Sequence, residues 1–132
     1  MKEADIANAL AQRLAELPSL GVIVWENKDA TTPRPYLEFE VVRVDRRELT
    51  LSKGAAVSRG YVLVTIVDDV DKFSTSATTK ADEVAARFPF GDRIDISGGG
   101  KIVVISPPSV LQGFREGPDW RVPVRIDYEA SA

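Results

Sequence analysis

Arg59-Gly60-Tyr61-Val62-Leu63-Val64-Thr65-Ile66-Val67-Asp68 is the longest β-favouring run in the chain, and its reading decides the fold. From Tyr61 to Val67 every residue is aromatic, branched, leucine or threonine, and none is charged. A strand with one wet face alternates apolar and polar residues, whereas an unbroken run marks a strand covered on both faces or packed in an interior. Tyr61–Val67 therefore reads as a central strand with neighbours on both edges and helices over at least one face. A turn at Ser58-Arg59-Gly60 is expected to open it, and the acidic exit Asp68-Asp69-Val70-Asp71 to close it.

Two long segments flank this strand. Tyr36–Val44 places Leu37, Phe39 and Val41 on one side and Glu38 and Glu40 on the other, with a change of pattern at Val41-Val42 that suggests a bulge. Between it and the central strand, Asp45–Gly60 carries Arg46, Arg47, Lys53 and Arg59 around Leu49, Leu51 and Gly54. Both flanks are β, so a strand–turn–strand arm is the expected connection, carrying a basic cluster beyond the sheet. At the far end of the chain Trp120–Tyr128 alternates cleanly, Trp120, Val122, Val124, Ile126 and Tyr128 on one side and Arg121, Pro123, Arg125 and Asp127 on the other. Pro123 has no N–H for a ladder, so an edge or bulged strand is expected there.

The helices are legible by period. Ile6, Leu10, Leu14 and Leu17 form one apolar stripe over Glu3–Leu17, stopped by Pro18 and Gly21. Ala77, Ala81, Val84, Ala85 and Phe88 define a second helix ended by Pro89 and Gly91. Val22–Trp25 is a short strand, Glu26–Pro35 a loop, and Arg93–Ile105 a hairpin about the turn Ser97-Gly98-Gly99-Gly100. Val110–Asp119 reads as a loop unusually rich in apolar residues. The sum is an α+β fold, a mainly antiparallel sheet with two helices packed on it plus an extended β-hairpin arm, over a single domain spanning 1–132.

Composition narrows the chemistry. A chain of 132 residues can bury a core without staples, and a net charge of −3 gives no broad basic face for sequence-specific nucleic-acid binding. With no cysteine and no histidine, thiolate zinc sites, Ser-His-Asp and Cys-His catalysis and imidazole switches are all excluded. The N-terminus lacks a signal-peptide pattern and no apolar run approaches the roughly 18 residues of a membrane span, so a soluble compartment and no membrane partner are expected.

The remaining motifs weigh against catalysis. Asp68, Asp69 and Asp71 could hold a hard cation but lack the spacing and glycine of a calcium loop, so a solvated strand end is the plainer reading. Ser97–Lys101 has Asp95 where a phosphate loop needs glycine and Ile102 where it needs Ser or Thr. Ser52 and Lys53 are neighbours on a strand and point to opposite faces. No catalytic set and no metal or other cofactor is expected. The arginines of the arm are either a solvated face or a contact with another subunit or a polyanion.

The order of segments along the chain resembles the tail terminator (tail completion) proteins of long-tailed bacteriophages. It is carried by Ala9–Pro18, Val24-Trp25-Glu26-Asn27, Pro35-Tyr36-Leu37, Arg47–Leu51, Arg59–Val64, Ala81–Pro89, Pro107-Pro108 and Trp120–Ile126. The resemblance implies a structural subunit, made in the bacterial host cytoplasm, that forms a homohexameric ring at the head-proximal end of the virion tail. That ring caps the tail tube protein, stops its polymerisation and meets the head–tail connector or stopper, with DNA passing through. Exposure and charge suggest contacts at Arg46, Arg47, Leu49, Leu51, Lys53 and Arg59, at Asp68, Asp69 and Asp71, and at Phe114 and Arg115. The rivals are another ring of the joint, a stopper or adaptor, and a small metal-dependent enzyme using Asp68–Asp71.

Overall fold

The structure is a computed structural model that describes residues 2–16, 23–25, 35–48, 56–70 and 74–131. Among these, eight strands form one sheet, and two helices accompany it. The elements are α1 (Glu3–Ala15), β1 (Ile23–Val24), β2 (Tyr36–Glu48), β3 (Ala56–Asp69), α2 (Ser74–Arg87), β4 (Arg93–Asp95), β5 (Lys101–Val104), β6 (Ser109–Val110), β7 (Phe114–Glu116) and β8 (Asp119–Ser131). The sheet order is β1-β2-β3-β8-β5-β4, with β6 and β7 also paired to β8. Only β1 runs parallel to its neighbour. The fold is α+β, as the pattern of the sequence implies.

β3 is central for the reason its composition suggests. It pairs with β2 from Tyr36↔Val67 to Glu48↔Ala56, and with β8 from Val57↔Ser131 to Asp69↔Asp119. Val62, Val64 and Ile66 face the helices and are fully buried, together with Val122, Val124, Ile126 and Tyr128 of β8. Onto them α1 sets Ile6, Leu10 and Leu14, and α2 sets Ala77, Ala81, Val84 and Phe88, each series at helical spacing. The alanines of α2 let that helix lie close to the strands. On the opposite face a smaller cluster, Val24, Tyr36 and Val67, closes one end of β3.

Four expectations need correction. Gly60 opens no turn: it lies inside β3, opposite Arg43 on β2 and Tyr128 on β8. A side chain there would meet the Val42 carbonyl oxygen and come within 2.8 Å of the Tyr128 hydroxyl, so glycine is required by close approach within a strand. The bulge falls between Arg43 and Asp45, two residues beyond the pattern change, and leaves Val44 as the extra residue. Residues 110–119 are not a plain loop, since β6 and β7 pair with β8.

Finally, β8 is neither an edge nor bulged at Pro123. Leu111 N–H donates to the Pro123 carbonyl at 2.8 Å. A residue's N and O point to the same side of a strand, so the missing N–H faces the irregular stretch between β6 and β7 and interrupts nothing on the β3 side.

Candidate assembly surfaces

The hairpin of β2 and β3 stays within the sheet throughout its described part, because β8 accompanies β3 as far as Val57↔Ser131. Arg46, Arg47 and Arg59 therefore stand on sheet strands rather than on a projecting arm. Leu49, Leu51 and Lys53 lie outside the described residues, as does Asp71.

The bulge organises the charges here. Arg43 and Arg46 are three apart, and on a regular strand they would point to opposite faces. The extra residue Val44 restores them to one face, where both reach Glu3 in the first turn of α1, at 3.6 Å from Arg43 and 3.1 Å from Arg46. Ser58 Oγ donates to the same carboxylate at 2.6 Å. A carboxylate at a helix N-terminus is itself favoured by the helix dipole, so Glu3 ties helix to hairpin with little electrostatic conflict. Arg46 is thus committed inside the subunit.

The other face carries Asp45, Arg47, Arg59 and Glu129 as two ion pairs, Arg47–Asp45 at 3.0 Å and Arg59–Glu129 at 3.3 Å, around a shallow recess of about 210 Å³. Further along, the Arg125 guanidinium lies 4.0 Å above the Tyr61 ring while pairing with Asp127 at 3.0 Å. Arg121 then gathers Glu38 at 2.9 Å, Glu116 at 3.3 Å and Asp119 at 3.5 Å. Burial alone would lower the Arg121 pKa, but the hydrogen bond and charge of Glu38, aided by Glu116 and Tyr36, outweigh it and raise the pKa. This face is a mosaic of alternating signs, mostly paired within the subunit.

At the acidic exit the two described aspartates differ. Asp68 is only 2% exposed and accepts the Asp69 N–H at 2.8 Å, so it is not part of a solvated strand end. Asp69 is half-buried. Among the described residues no group of three or more acidic side chains is arranged to hold a metal ion.

Phe114 and Arg115 stand on β7, both exposed, and Arg115 donates to the Gly117 carbonyl at 3.1 Å. Beside β7 a recess of about 280 Å³ is lined by Val110, Leu111, Gln112, Gly113, Trp120 and Val122 with Thr78 of α2. Gly113 shapes it, for a side chain there would lie 2.7 Å from the Trp120 ring. Sequence reasoning missed this recess, and it also missed Val44, which is 66% exposed. The unusual apolar content of Val110–Asp119 was the available signal for the first. Nothing in the pattern marked the second, since the position of a bulge depends on cross-strand register.

A family model described as phage tail terminator protein matches residues 5–128. The chain belongs to the phage tail terminator family. It is accordingly a phage tail structural protein of the virion, in a family whose members work in association with other tail components. One solved structure, known only by a serial designation, is 28% identical, covers 98% of this chain and 96% of its own, and has a TM-score of 0.76. A chain from the virion of a native gene transfer agent particle shares the fold, with a TM-score of 0.69 at 14% identity, covering 96% of this chain and 95% of that one. No curated protein matches the sequence.

Proposed function

We propose that this terminator, acting as one unit over its whole length, forms a homohexameric ring that caps the tail tube. The ring would end tube polymerisation and present its other face to the head connector or stopper, at the head-proximal end of a phage or phage-like tail, with DNA passing through. The subunit would be made in the host cytoplasm and joined to the particle there. The family match along residues 5–128 carries this reading.

The mechanism is geometric and needs no reacting group. A head-to-tail contact repeated about an axis closes a ring, and the ring occupies the tube end where the next tube subunits would add. Contact residues are assigned by exposure: Arg47 on β2, Arg59 on β3, and Phe114 and Arg115 on β7. Leu49, Leu51, Lys53 and Asp71 join them on sequence grounds, and Asp69 by its half-exposed position. Arg46 serves through Glu3, and Asp68 drops out because its carboxylate is turned into the subunit.

Electron microscopy of the protein mixed with purified tail tubes tests the reading. Six-fold caps confined to one end of each tube are expected. Tubes that continue to grow at both ends in its presence would refute it, and caps that join only connectors would favour a stopper or adaptor.

A further inference from the structure

We propose that Arg121 is a positioning residue for assembly: its guanidinium clamps β7 against the sheet and so fixes where Phe114 is presented. This rests on the capping reading above, which assigns Phe114 and Arg115 as contacts, and it names what holds them.

β7 is an element that needs holding. It is three residues long, all of them exposed, and among the described residues β8 is its sole strand partner. The pairs are Phe114↔Arg121, Arg115↔Trp120 and Glu116↔Asp119. A two-stranded hairpin is marginal in water unless a face of it is packed down. Residues opposite one another on paired strands share a face, and so do residues two apart on one strand. Phe114, Glu116, Asp119 and Arg121 therefore stand on the same side of the hairpin. Phe114 is exposed there, directly across from an arginine whose side chain is only 17% exposed.

Each nitrogen of that guanidinium is given to a different carboxylate. Nη1 donates to Glu38 of β2 at 2.9 Å, Nε faces Glu116 of β7 at 3.3 Å, and Nη2 lies 3.5 Å from Asp119 of β8. Along the sheet β2 is followed by β3 and β8, with β7 on the far side of β8, so one side chain ties β7 to a strand three places away. Charge balance alone would be met by one carboxylate. Three, one from each of three strands, use the directions of a planar fork, which a lysine with its single nitrogen cannot reproduce. The pair with the exposed Glu116 would be weak in isolation. It gains its direction because Glu38 and Asp119, both half-buried, hold the rest of the fork.

Hydrogen exchange of the free protein and electron microscopy of purified tail tubes test the clamp together. Arg121→Lys keeps the charge and loses the fork. Its exchange over Phe114–Glu116 should rise about tenfold, with β3 at parental rates, and capped tubes should become correspondingly rarer. Glu116→Gln removes the β7 link alone, at an exposed position, so folding is not in question; exchange there should rise about two- to fivefold at an unchanged melting temperature. Should Arg121→Lys unfold the protein, Glu116→Gln decides. Parental exchange over β7 in both variants would overturn the clamp, and a loosened β7 with undiminished capping would overturn its role in assembly. A parent protein that caps no tubes would refute the functional reading and Phe114 as a contact, whereas the exchange comparison, which needs no tubes, would still decide the clamp.

Discussion

The two ends of β3 carry opposite charges and have been put to different uses. At the hairpin end, Arg59 is exposed and pairs with Glu129 across the strand, while its neighbours Arg43 and Arg46 hold Glu3 of α1. At the exit end, nine residues and about 30 Å away, Asp68 is enclosed on the face of β3 that carries Ile66, opposite the Val24–Tyr36–Val67 cluster, and accepts the Asp69 N–H. One end is a surface that can be remodelled at small cost, and the other is part of the packed interior. Surface ion pairs contribute little to stability, whereas a buried hydrogen-bonded group cannot be removed without leaving a partner stranded. A charge in the sequence says nothing by itself about which of these it will become.

The sharpest way to break that contrast is at the junction between the two regimes. Gly60 stands where the hairpin end meets the core, under the Tyr128 ring and against the Val42 carbonyl. Gly60→Val should destabilise the protein by about 3 kcal/mol, because the obstruction includes backbone that cannot swing aside. Scanning calorimetry should show a fall of roughly 10 °C in the melting temperature. A change under about 2 °C would mean that the strands can separate there.

Asp68 comes next. Asp68→Ala should cost about 1–3 kcal/mol in denaturant unfolding, since it strips a buried acceptor from the Asp69 N–H and leaves the space dry. An unchanged midpoint would return the exit to the solvated class and restore symmetry between the ends of β3.

These two residues also show how far the sequence could be read. The period of α1 and α2, the uncharged run of Tyr61–Val67 and the alternation of Trp120–Tyr128 each state a burial pattern directly, and the core follows them. The glycine-rich hairpin of β4 and β5 was equally plain, with Gly98, Gly99 and Gly100 all at positive φ. What the sequence could not state was partnership. Gly60 looks like a turn until Tyr128 is placed over it. Pro123 looks like an edge residue until its N is seen to face the gap between β6 and β7. The basic cluster looked like free cations until register set Glu3, Asp45 and Glu129 among them. Of the candidate contact residues the sequence marked, Arg47, Arg59, Phe114 and Arg115 are exposed, and the exposure of Val44 was not legible because a bulge depends on two strands at once.

Tyr128 lies within the core, but its hydroxyl projects towards the hairpin end, and it separates the two regimes by pH. The hydroxyl is fully buried without a hydrogen-bond partner, and burial raises its pKa above the ordinary 10.0, with Glu3 adding to the shift and Arg43 opposing it. A folded pKa above the unfolded one means that the native state keeps its proton longer. The associated stability is fully present below pH 10 and is lost as pH rises through the folded value. Tyr128→Phe should therefore remain within about 1 kcal/mol of the parent at pH 7, since no bond is broken, and should unfold less readily than the parent above pH 10. Equal alkaline losses in both proteins would place the cause elsewhere.

The smallest expected effect on stability falls at Arg47, and there the value of the contrast lies. Its side chain is 66% exposed and its pair with Asp45 is local to one strand, so Arg47→Glu should move stability by no more than about 0.5 kcal/mol. Arg46 is a poorer choice for the same test, because its reversal would also set a carboxylate against Glu3 and blur assembly with folding. If the hairpin end is kept for partners, Arg47→Glu should keep the melting curve and lose capping of tail tubes, with the loss greatest at low salt, where unscreened repulsion acts furthest. A variant that caps normally would mean that the exposed pairs of this end are only a solvated sheet face, and would leave the burden of assembly on the β7 side.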